Sequence, residues 1–384
     1  MPSLYQSGYA LTQSKAYPLQ TIGAIVKLTQ EQAAAVQAAT EAIRNRREFT
    51  LTGLAGTGKS VVLAALHQHL IEIGIQPIVV APTAKAALVL TAKGLPARTI
   101  HSTAYTFAGT RKDEGGETQP IFFEKSFAST AMLVDESSMV GQSVVNHLRR
   151  ECDAIVWVGD HGQLPPVRAE NPRLFDHPDF TLEEIHRQAA GNPIIAYSRR
   201  MRNGESLQSR HDGIDHSHVT SHERIAAIAA DRGIDQLITA TNDHRVALNE
   251  EVRQLAGRGK QPEPGDRVVC LHNNHRVAVF NGEQYVIEDV VGIDGDIIEL
   301  VINGKPIEAR VDQFNTAAKI DSGELDVYQC LFDYGYAITC HKAQGSQWDH
   351  VGVVSHGYRC FRGDAPRWSY TAVTRAAEKL TIFH

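Results

Sequence analysis

Cysteine is scarce in this chain, and its cysteines are not arranged as metal-binding pairs are. The chain of 384 residues has five of them, none in a C-x-x-C pair. An odd, scattered set argues against structural zinc and indicates reduced thiols in a cytosolic setting. The five are Cys152, Cys270, Cys330, Cys340 and Cys360.

Long apolar runs and an excess of basic residues are also missing. No run approaches the ~20 apolar residues of a membrane span, and the N-terminal stretch has no continuous apolar core. We therefore expect neither a membrane association nor a secretory signal. With 38 Lys and Arg against 44 Asp and Glu, the net charge is −6. Any nucleic-acid surface must therefore be a local groove.

A glycine-rich phosphate-loop motif, GLAGTGKS at residues 53–60, is the strongest local signal that is present. It lies between a predicted buried strand at residues 48–52 and a predicted helix at residues 61–73. Glycines let backbone N–H groups converge on phosphates at the positive end of a helix. In such a loop Lys59 reaches the β- and γ-phosphates and Ser60 contacts Mg²⁺. The nucleotide-binding residues predicted here are Gly53, Gly56, Thr57, Gly58, Lys59 and Ser60.

Two further predicted strands end in polar residues. Asp135 and Glu136 follow an apolar strand, and downstream of a phosphate loop such a pair would hold Mg²⁺ and activate the attacking water. Gln163 follows the strand at residues 155–158, where its amide could contact a γ-phosphate. The acidic pair indicates hydrolysis rather than binding alone. Alternating strands and helices of this kind predict an α/β domain with a parallel sheet.

Gln32 has two interpretations that position alone leaves open. It stands three residues after Thr29 at the start of a predicted helix, which is the spacing of a capping box. Its amide could equally read the donor and acceptor on an adenine edge.

Small hydroxyl and basic residues follow two other predicted strands. Pro82, Thr83 and Lys85 form one cluster, and Thr99 and His101 form the other. Ligands bind at the carboxyl ends of strands in open α/β sheets. Either cluster alone would be an ordinary turn.

Residues 103–125 interrupt the α/β rhythm and read as a β-hairpin. One interpretation is a surface excursion whose aromatic residues pack on its own base. The other is a rigid projection against which a substrate is pushed, with Phe107, Phe122 and Phe123 as candidates for that contact.

The second half repeats the α/β pattern around an insertion of short β segments. Asn-Gly and Asp-Gly dipeptides punctuate residues 262–314 and predict hairpins in a small, barrel-like module. Four histidines within residues 211–222 could bind a metal, but no partner spacing supports that, and a solvated loop is favoured. The pattern then predicts a helix at residues 364–378 and a strand at residues 380–383.

Six motifs in order resemble superfamily 1B DNA helicases of the RecD/Dda-like, 5′→3′ branch. They are GLAGTGKS, LVDESS, VGDHGQLPPV, the EIHRQ segment, TCHKAQGSQWD and YTAVTRAAEKL. The resemblance implies two RecA-like domains with parallel sheets, a β-hairpin pin in the first and an SH3-like insertion in the second. The implied division is a lead-in at 1–27, domain 1A at 28–167 with the pin at 103–125, domain 2A at 168–258 and 329–384, and domain 2B at 259–328.

The same resemblance implies roles for individual residues in an ATP- and Mg²⁺-dependent reaction. Gln32 would recognise adenine, Asp135 and Ser60 would hold Mg²⁺, and Glu136 would activate water. Gln163 would sense the γ-phosphate, while Arg187 and Arg375 would neutralise its charge. The alternative for Arg375 is a simple ion pair with Glu378. Gln347 stands where the family commonly has Glu, which weakens the expected contact with the ribose.

The DNA contacts implied by the resemblance fall into two sets. The first domain would supply Pro82, Thr83, Lys85, Thr99 and His101, and the second would supply Thr339, His341, Lys342, Gln344, Gly345 and Ser346. The expected partners are single-stranded and forked duplex DNA, with single-strand-binding or replisome proteins as candidates. We expect a monomer in the cytoplasm of a bacterium, or of an infected host cell if a phage encodes it.

Three alternatives share the same residues. The chain could be a translocase that displaces proteins from single strands and unwinds weakly. It could be a non-catalytic scaffold that binds nucleotide and DNA within a nuclease complex. Groove contacts to phosphates and stacked bases also leave an RNA helicase open.

Overall fold

Two parallel α/β units and a β insertion make up the protein, as the sequence predicts. The computed structural model describes residues 28–112, 118–127, 129–166, 169–184, 191–274, 276–316 and 329–384. Within these ranges no helix is long and apolar enough to cross a bilayer.

The first unit is built on a six-stranded parallel sheet with the strand order β3-β2-β6-β7-β1-β8. Its central strands are buried along their whole length because helices cover both faces. Thr29, Thr83 and Thr99 begin three of the helices by accepting a backbone N–H, as N-caps do. The strands are β1 (Phe49–Gly53), β2 (Ile78–Ala81), β3 (Ala97–Thr99), β6 (Met132–Val134), β7 (Ile155–Gly159) and β8 (Phe180–Leu182); the helices are α1 (Gln30–Arg44), α2 (Lys59–Glu72), α3 (Ala84–Ala92), α4 (Ile100–Ala104) and α5 (Gln142–Glu151).

The predicted hairpin is present between α4 and β6. Its strands, β4 (Tyr105–Lys112) and β5 (Thr118–Glu124), pair antiparallel with a bulge between Phe107 and Gly109. Residues 113–117 at its tip lie outside the described ranges. Of the three phenylalanines proposed to contact a substrate, Phe123 has a side chain that the structure describes, and that side chain is 66% exposed.

The second unit is a five-stranded parallel sheet with the strand order β18-β10-β19-β20-β9. Its Trp368, Tyr197 and Phe383 side chains are fully buried. The strands are β9 (Asp215–Ser217), β10 (Gln236–Thr239), β18 (Ala337–Thr339), β19 (Trp348–Val354) and β20 (Ala376–Phe383); the helices are α6 (Pro193–Arg202), α7 (His222–Asp231), α8 (Asn242–Leu255), α9 (Cys340–Ala343) and α10 (Ala365–Val373).

The histidine-rich segment at residues 211–222 is not simply the predicted solvated loop. It contains β9, which pairs with β20 at the edge of the second sheet. A three-residue strand is too short to show alternation in the sequence, which explains the error. Among the described residues, no group of three or more potential ligands is arranged to hold a metal ion.

The insertion consists of a three-stranded sheet and a four-stranded sheet around one apolar core. Positive φ angles at Gly282, Gly295, Asn303 and Gly304 mark the turns predicted from Asn-Gly and Asp-Gly. The strands are β11 (Arg267–Cys270), β12 (Gln284–Val286), β13 (Asp289–Asp294), β14 (Ile297–Ile302), β15 (Lys305–Arg310), β16 (Gln329–Cys330) and β17 (Phe332–Tyr334).

Three strands lie on the other side of the expected domain boundaries. β8 pairs with β1 in the first sheet, although it follows residue 167. β16 and β17 pair with strands of the insertion, although they follow residue 328. These strands have two or three residues each, so no periodic pattern in the sequence assigns them to a sheet.

Candidate nucleotide site and strand groove

The phosphate loop connects β1 to α2 in the conformation that the motif predicts. Gly56 and Gly58 have φ angles of 85° and 83°, a region that glycine enters without steric cost. Gly58 is also the N-cap of α2, so the loop leads directly into the positive end of that helix. A side chain at Gly53 would collide with Thr57, because an added Cβ would lie 2.5 Å from its Oγ1.

Lys59 is folded back onto the loop. Its Nζ donates hydrogen bonds to the carbonyl oxygens of Gly53 at 2.7 Å and Leu54 at 3.1 Å. The Asp160 carboxylate, which is almost fully buried, lies 3.7 Å from the same ammonium group. Lys59 is therefore held at the mouth of the loop, where a phosphate would compete with these acceptors.

The predicted acidic pair follows β6, which lies between β2 and β7 in the first sheet. Asp135 is buried, and its pKa is raised first by that burial and then by the adjacent Glu136 carboxylate. Glu136 is half-buried and has a left-handed φ of 49°, a strained conformation for a residue with a Cβ. Two crowded acids of this kind favour a cation, and strained backbone of this kind clusters at functional sites.

Gln163 lies in the loop after β7 and is 7% exposed. Its Oε1 is buried and has no hydrogen-bond partner within the described ranges. An unsatisfied buried acceptor costs about 1–3 kcal/mol, so it calls for a ligand or an ordered water. This unpaired acceptor is in keeping with a role toward a bound nucleotide.

Tyr370 crosses from the second unit to the first, and the sequence did not single it out. Its hydroxyl donates to Asp160 Oδ2 at 2.6 Å and accepts the Ala55 N–H at 2.8 Å. Burial raises the pKa of Tyr370 well above its ordinary value, so the hydroxyl stays a donor. The tyrosine thus joins α10 both to the phosphate loop and to Asp160, the carboxylate beside Lys59. Its position within the YTAVTR motif was the available signal.

Of the two arginines predicted to contact the γ-phosphate, the structure describes one. Arg187 lies in residues 185–190, outside the described ranges. Arg375 is buried and donates to Thr371 O, Ser346 O and Thr374 Oγ1 at 3.0–3.1 Å. The predicted helix at residues 364–378 is too long, because α10 ends at Val373 and β20 begins at Ala376. Arg375 therefore lies at a helix–strand junction. The predicted alternative, an ion pair with Glu378 within one helix, does not apply.

Gln32 forms the capping box. Its Oε1 accepts the Thr29 N–H at 3.1 Å, while Thr29 Oγ1 accepts the Gln32 N–H at 3.2 Å. Its Nε2 also donates to Thr57 O in the phosphate loop, so the amide links α1 to the loop. Gln347 is exposed and immediately precedes β19. The nucleotide contacts predicted for these two residues remain predictions.

Six of the predicted strand-binding residues line one cavity between the two units. Its volume is about 200 Å³. The six are Thr83, Lys85, His341, Lys342, Gln344 and Ser346; the others among the lining residues are Met139, Asn281 and Gly282.

The other predicted contacts are not among the lining residues of this cavity. Thr99 caps α4, and His101 stacks on Tyr105 at 5.3 Å, with a pKa lowered by burial. Thr339 is the N-cap residue of α9, and Pro82 follows β2. They lie at carboxyl ends of strands, as predicted.

Two contacts of cavity residues that the sequence did not indicate join parts of the chain that are far apart. The Lys85 Nζ lies 4.7 Å from the centre of the Trp348 ring, a cation–π contact between the two units. Lys342 Nζ donates to Asn281 Oδ1 at 3.3 Å, which brings a turn of the insertion to the cavity. The Asn281-Gly282 dipeptide had indicated a turn only.

Comparison with known proteins shows the family to which this chain belongs. A family model described as an AAA domain matches residues 27–224, more than half of the chain, and one described as a UvrD-like helicase C-terminal domain matches residues 334–383. The ATP-dependent RecD2 DNA helicase of Deinococcus radiodurans is 28% identical over 384 aligned residues, covering 92% of this chain and 48% of that protein. The ATP-dependent DNA helicase dda of phage T4 is 30% identical over 196 residues, covering 46% of this chain and 43% of that protein.

The chain belongs to this AAA-domain family, and its similarity to the RecD2 and dda helicases agrees with the RecD/Dda-like resemblance of its motifs. It spans about half the length of the curated relatives it matches, or less. Among solved structures, Bacteroides Pif1 bound to single-stranded DNA aligns with a TM-score of 0.55 and 20% identity over 93% of this chain and 92% of that one. This likeness supports the fold, two RecA-like units with a β insertion.

Proposed function

We propose that the chain hydrolyses ATP to move 5′→3′ along single-stranded DNA and to unwind duplex DNA. The observation that carries the proposal is the meeting of the two units at one cleft. Lys59, Asp160 and Tyr370 join there directly, and a second cavity between the same units holds six of the predicted strand contacts. The relatives named above are ATP-dependent DNA helicases, and the Pif1 structure contains single-stranded DNA.

In this proposal the triphosphate of ATP displaces the contacts that now hold Lys59. Lys59 and the N–H groups of the loop bind the phosphates, while Gln163 Oε1 gains a partner, directly or through water. Glu136 accepts the proton of the attacking water. Arg187 and Arg375 are proposed to approach the γ-phosphate from the second unit, which for Arg375 requires leaving its present acceptors. Gln32 and Gln347 are proposed to contact adenine and ribose.

The oxygen ligands present suit Mg²⁺. Asp135 offers a buried carboxylate beside Glu136, and Ser60 offers a hydroxyl in the first turn of α2. Mg²⁺ bound with ATP would neutralise the phosphate charge that develops as the bond breaks. A nearby cation would also lower the pKa of Asp135, opposing the effect of burial.

Hydrogen bonds between the units link the nucleotide loop to the strand cavity. Leu164, next to Gln163, donates its N–H to Thr371 Oγ1 at 3.0 Å and accepts the Gln344 Nε2 at 3.2 Å. A shift of this loop on ATP binding or hydrolysis would therefore move a residue of the cavity. We infer that the two contact sets grip DNA in alternation as the cleft closes and opens. The protein would act as a monomer with the domains that the resemblance implies, except that β8 belongs to the first unit and β16 and β17 belong to the insertion.

Forked duplexes test direction and unwinding together. The expected result is strand release from a fork with only a 5′ tail, and none from a fork with only a 3′ tail. Release from neither fork, with ATP hydrolysis intact, would favour a translocase that displaces proteins. Release from the 3′ tail alone would overturn the direction. Stimulation of hydrolysis by RNA as strong as by DNA of matched sequence would favour an RNA helicase.

Lys85→Ala should weaken binding of single-stranded DNA and reduce its dependence on salt. Each phosphate contact on a single strand contributes roughly −0.7 to the slope of log K against log salt, so the slope should fall by about that amount. Fluorescence anisotropy with a labelled oligonucleotide at several salt concentrations measures it. Lys93→Ala, at the exposed end of the same helix, is the matched control. An unchanged slope for Lys85→Ala would remove Lys85 from the groove.

A further inference from the structure

The carboxyl end of α6 faces the phosphate loop across a cavity of about 430 Å³. Leu54 of the phosphate loop lines one side, and Arg199, Arg202 and Asn203 line the other. The volume is within the range of small-molecule sites, and its charged wall belongs to the second unit. Nothing in the motifs of the family had indicated these residues.

Arg202 is packed against the loop that carries Gln163. A Cβ placed on Gly162 would lie 3.0 Å from Arg202 Nε and 2.9 Å from Tyr370 Cε1. The same arginine contributes, after burial, to a lowered pKa of His161. The glycine thus allows a guanidinium to approach the Asp160–Gln163 loop closely, beside the tyrosine that bonds the phosphate loop.

Arg202 also has no anionic partner among the residues that the structure describes. Within the described ranges it forms no ion pair and no side-chain hydrogen bond, and it is half-buried. Arg200 on the same helix instead pairs with Glu205, with 2.7 Å between Nη2 and Oε2. A partly desolvated, unpaired guanidinium is unfavourable, and its planar donors match the oxygens of a phosphate group.

We propose that Arg202 is a further phosphate-binding residue, which the second unit supplies to the γ-phosphate of ATP held by residues 53–60. This rests on the proposed function, because ATP must bind at that loop. The position beside Gln163 selects the γ-phosphate over the others. Arg375 is held by three acceptors, whereas Arg202 has no hydrogen bond or ion pair among the described residues to break before it turns toward the nucleotide.

The test compares nucleotides that differ by the γ-phosphate, using the whole chain with Mg²⁺. Calorimetry should show that Arg202→Ala weakens binding of the non-hydrolysable analogue AMP-PNP about 10- to 100-fold, as for a charged hydrogen bond, and binding of ADP less than about threefold. The kcat for DNA-stimulated hydrolysis should fall at least about tenfold. Arg202→Lys should recover part of the AMP-PNP affinity, because it keeps the charge but not the planar donors.

Arg224→Ala, an exposed arginine in the first turn of α7, is the matched control and should change none of these values. Circular dichroism and thermal midpoints confirm that each variant is folded, and Arg202→Lys provides the test if the alanine variant is not. Equal losses for ADP and AMP-PNP, or no loss for either, would overturn the assignment of Arg202. A parent chain that binds no ATP, or whose hydrolysis survives Lys59→Ala, would overturn the proposed function itself.

Discussion

Glu136→Gln should lower the rate of DNA-stimulated ATP hydrolysis by about 10²- to 10⁴-fold, the usual contribution of a general base. Glutamine keeps the size of the side chain and its left-handed backbone but cannot accept the proton of water. Affinity for AMP-PNP should change little, because Lys59 and the loop N–H groups remain. Steady-state kinetics with saturating single-stranded DNA measure the loss, which should appear in kcat and not in KM.

Glu41→Gln is the matched control, since Glu41 is exposed near the carboxyl end of α1 and has no role in the proposed site. Its kcat should equal that of the parent. A Glu136→Gln variant that hydrolyses ATP at more than about a tenth of the parent rate would exclude Glu136 as the base. A parent without DNA-stimulated hydrolysis would favour the non-catalytic scaffold over the enzyme.

The residues at the ends of parallel strands could be predicted because their placement follows from local rules. A buried strand followed by a helix puts its connecting residues at one edge of the sheet, whatever the rest of the chain does. Residues 53–60, Asp135 and Gln163 each follow such a strand, and the structure places them there. The insertion's turns were equally local, because Asn-Gly and Asp-Gly favour positive φ.

Contacts between the units could not be predicted, because they depend on how two separate sheets are oriented. Tyr370 and Trp348 look like core residues of the second unit in the sequence, yet they reach Ala55 and Lys85 of the first. Arg202 belongs to an amphipathic helix whose basic end would ordinarily be read as a solvated face. Hydrophobic periodicity reports burial within an element and carries no information about its partner across a cleft.

The insertion is attached to the second unit by a buried ionic network that is equally invisible in the sequence. Asp266, with no exposed surface, accepts Arg253 Nε and Nη2 at 3.0 Å each and the Tyr336 hydroxyl at 2.9 Å. Arg258 lies 3.3 Å from the same carboxylate. Because Arg253 belongs to α8 and Asp266 immediately precedes β11, this carboxylate fixes the first strand of the insertion to a helix of the second unit.

Asp266→Asn should therefore destabilise the insertion by about 3–5 kcal/mol, the cost of leaving buried arginines without their counter-charge. Hydrogen exchange of the amides in β11 and β14 measures this locally, and those amides should exchange roughly 10²- to 10⁴-fold faster. Asp296→Asn is the matched control, because Asp296 is 75% exposed and lies 3.8 Å from Arg310; its effect should be below about 1 kcal/mol. If exchange in the insertion changed equally in both variants, the buried network would not be what holds the insertion against α8. A loss of protection in Asp266→Asn alone would show that this buried carboxylate holds β11 against α8.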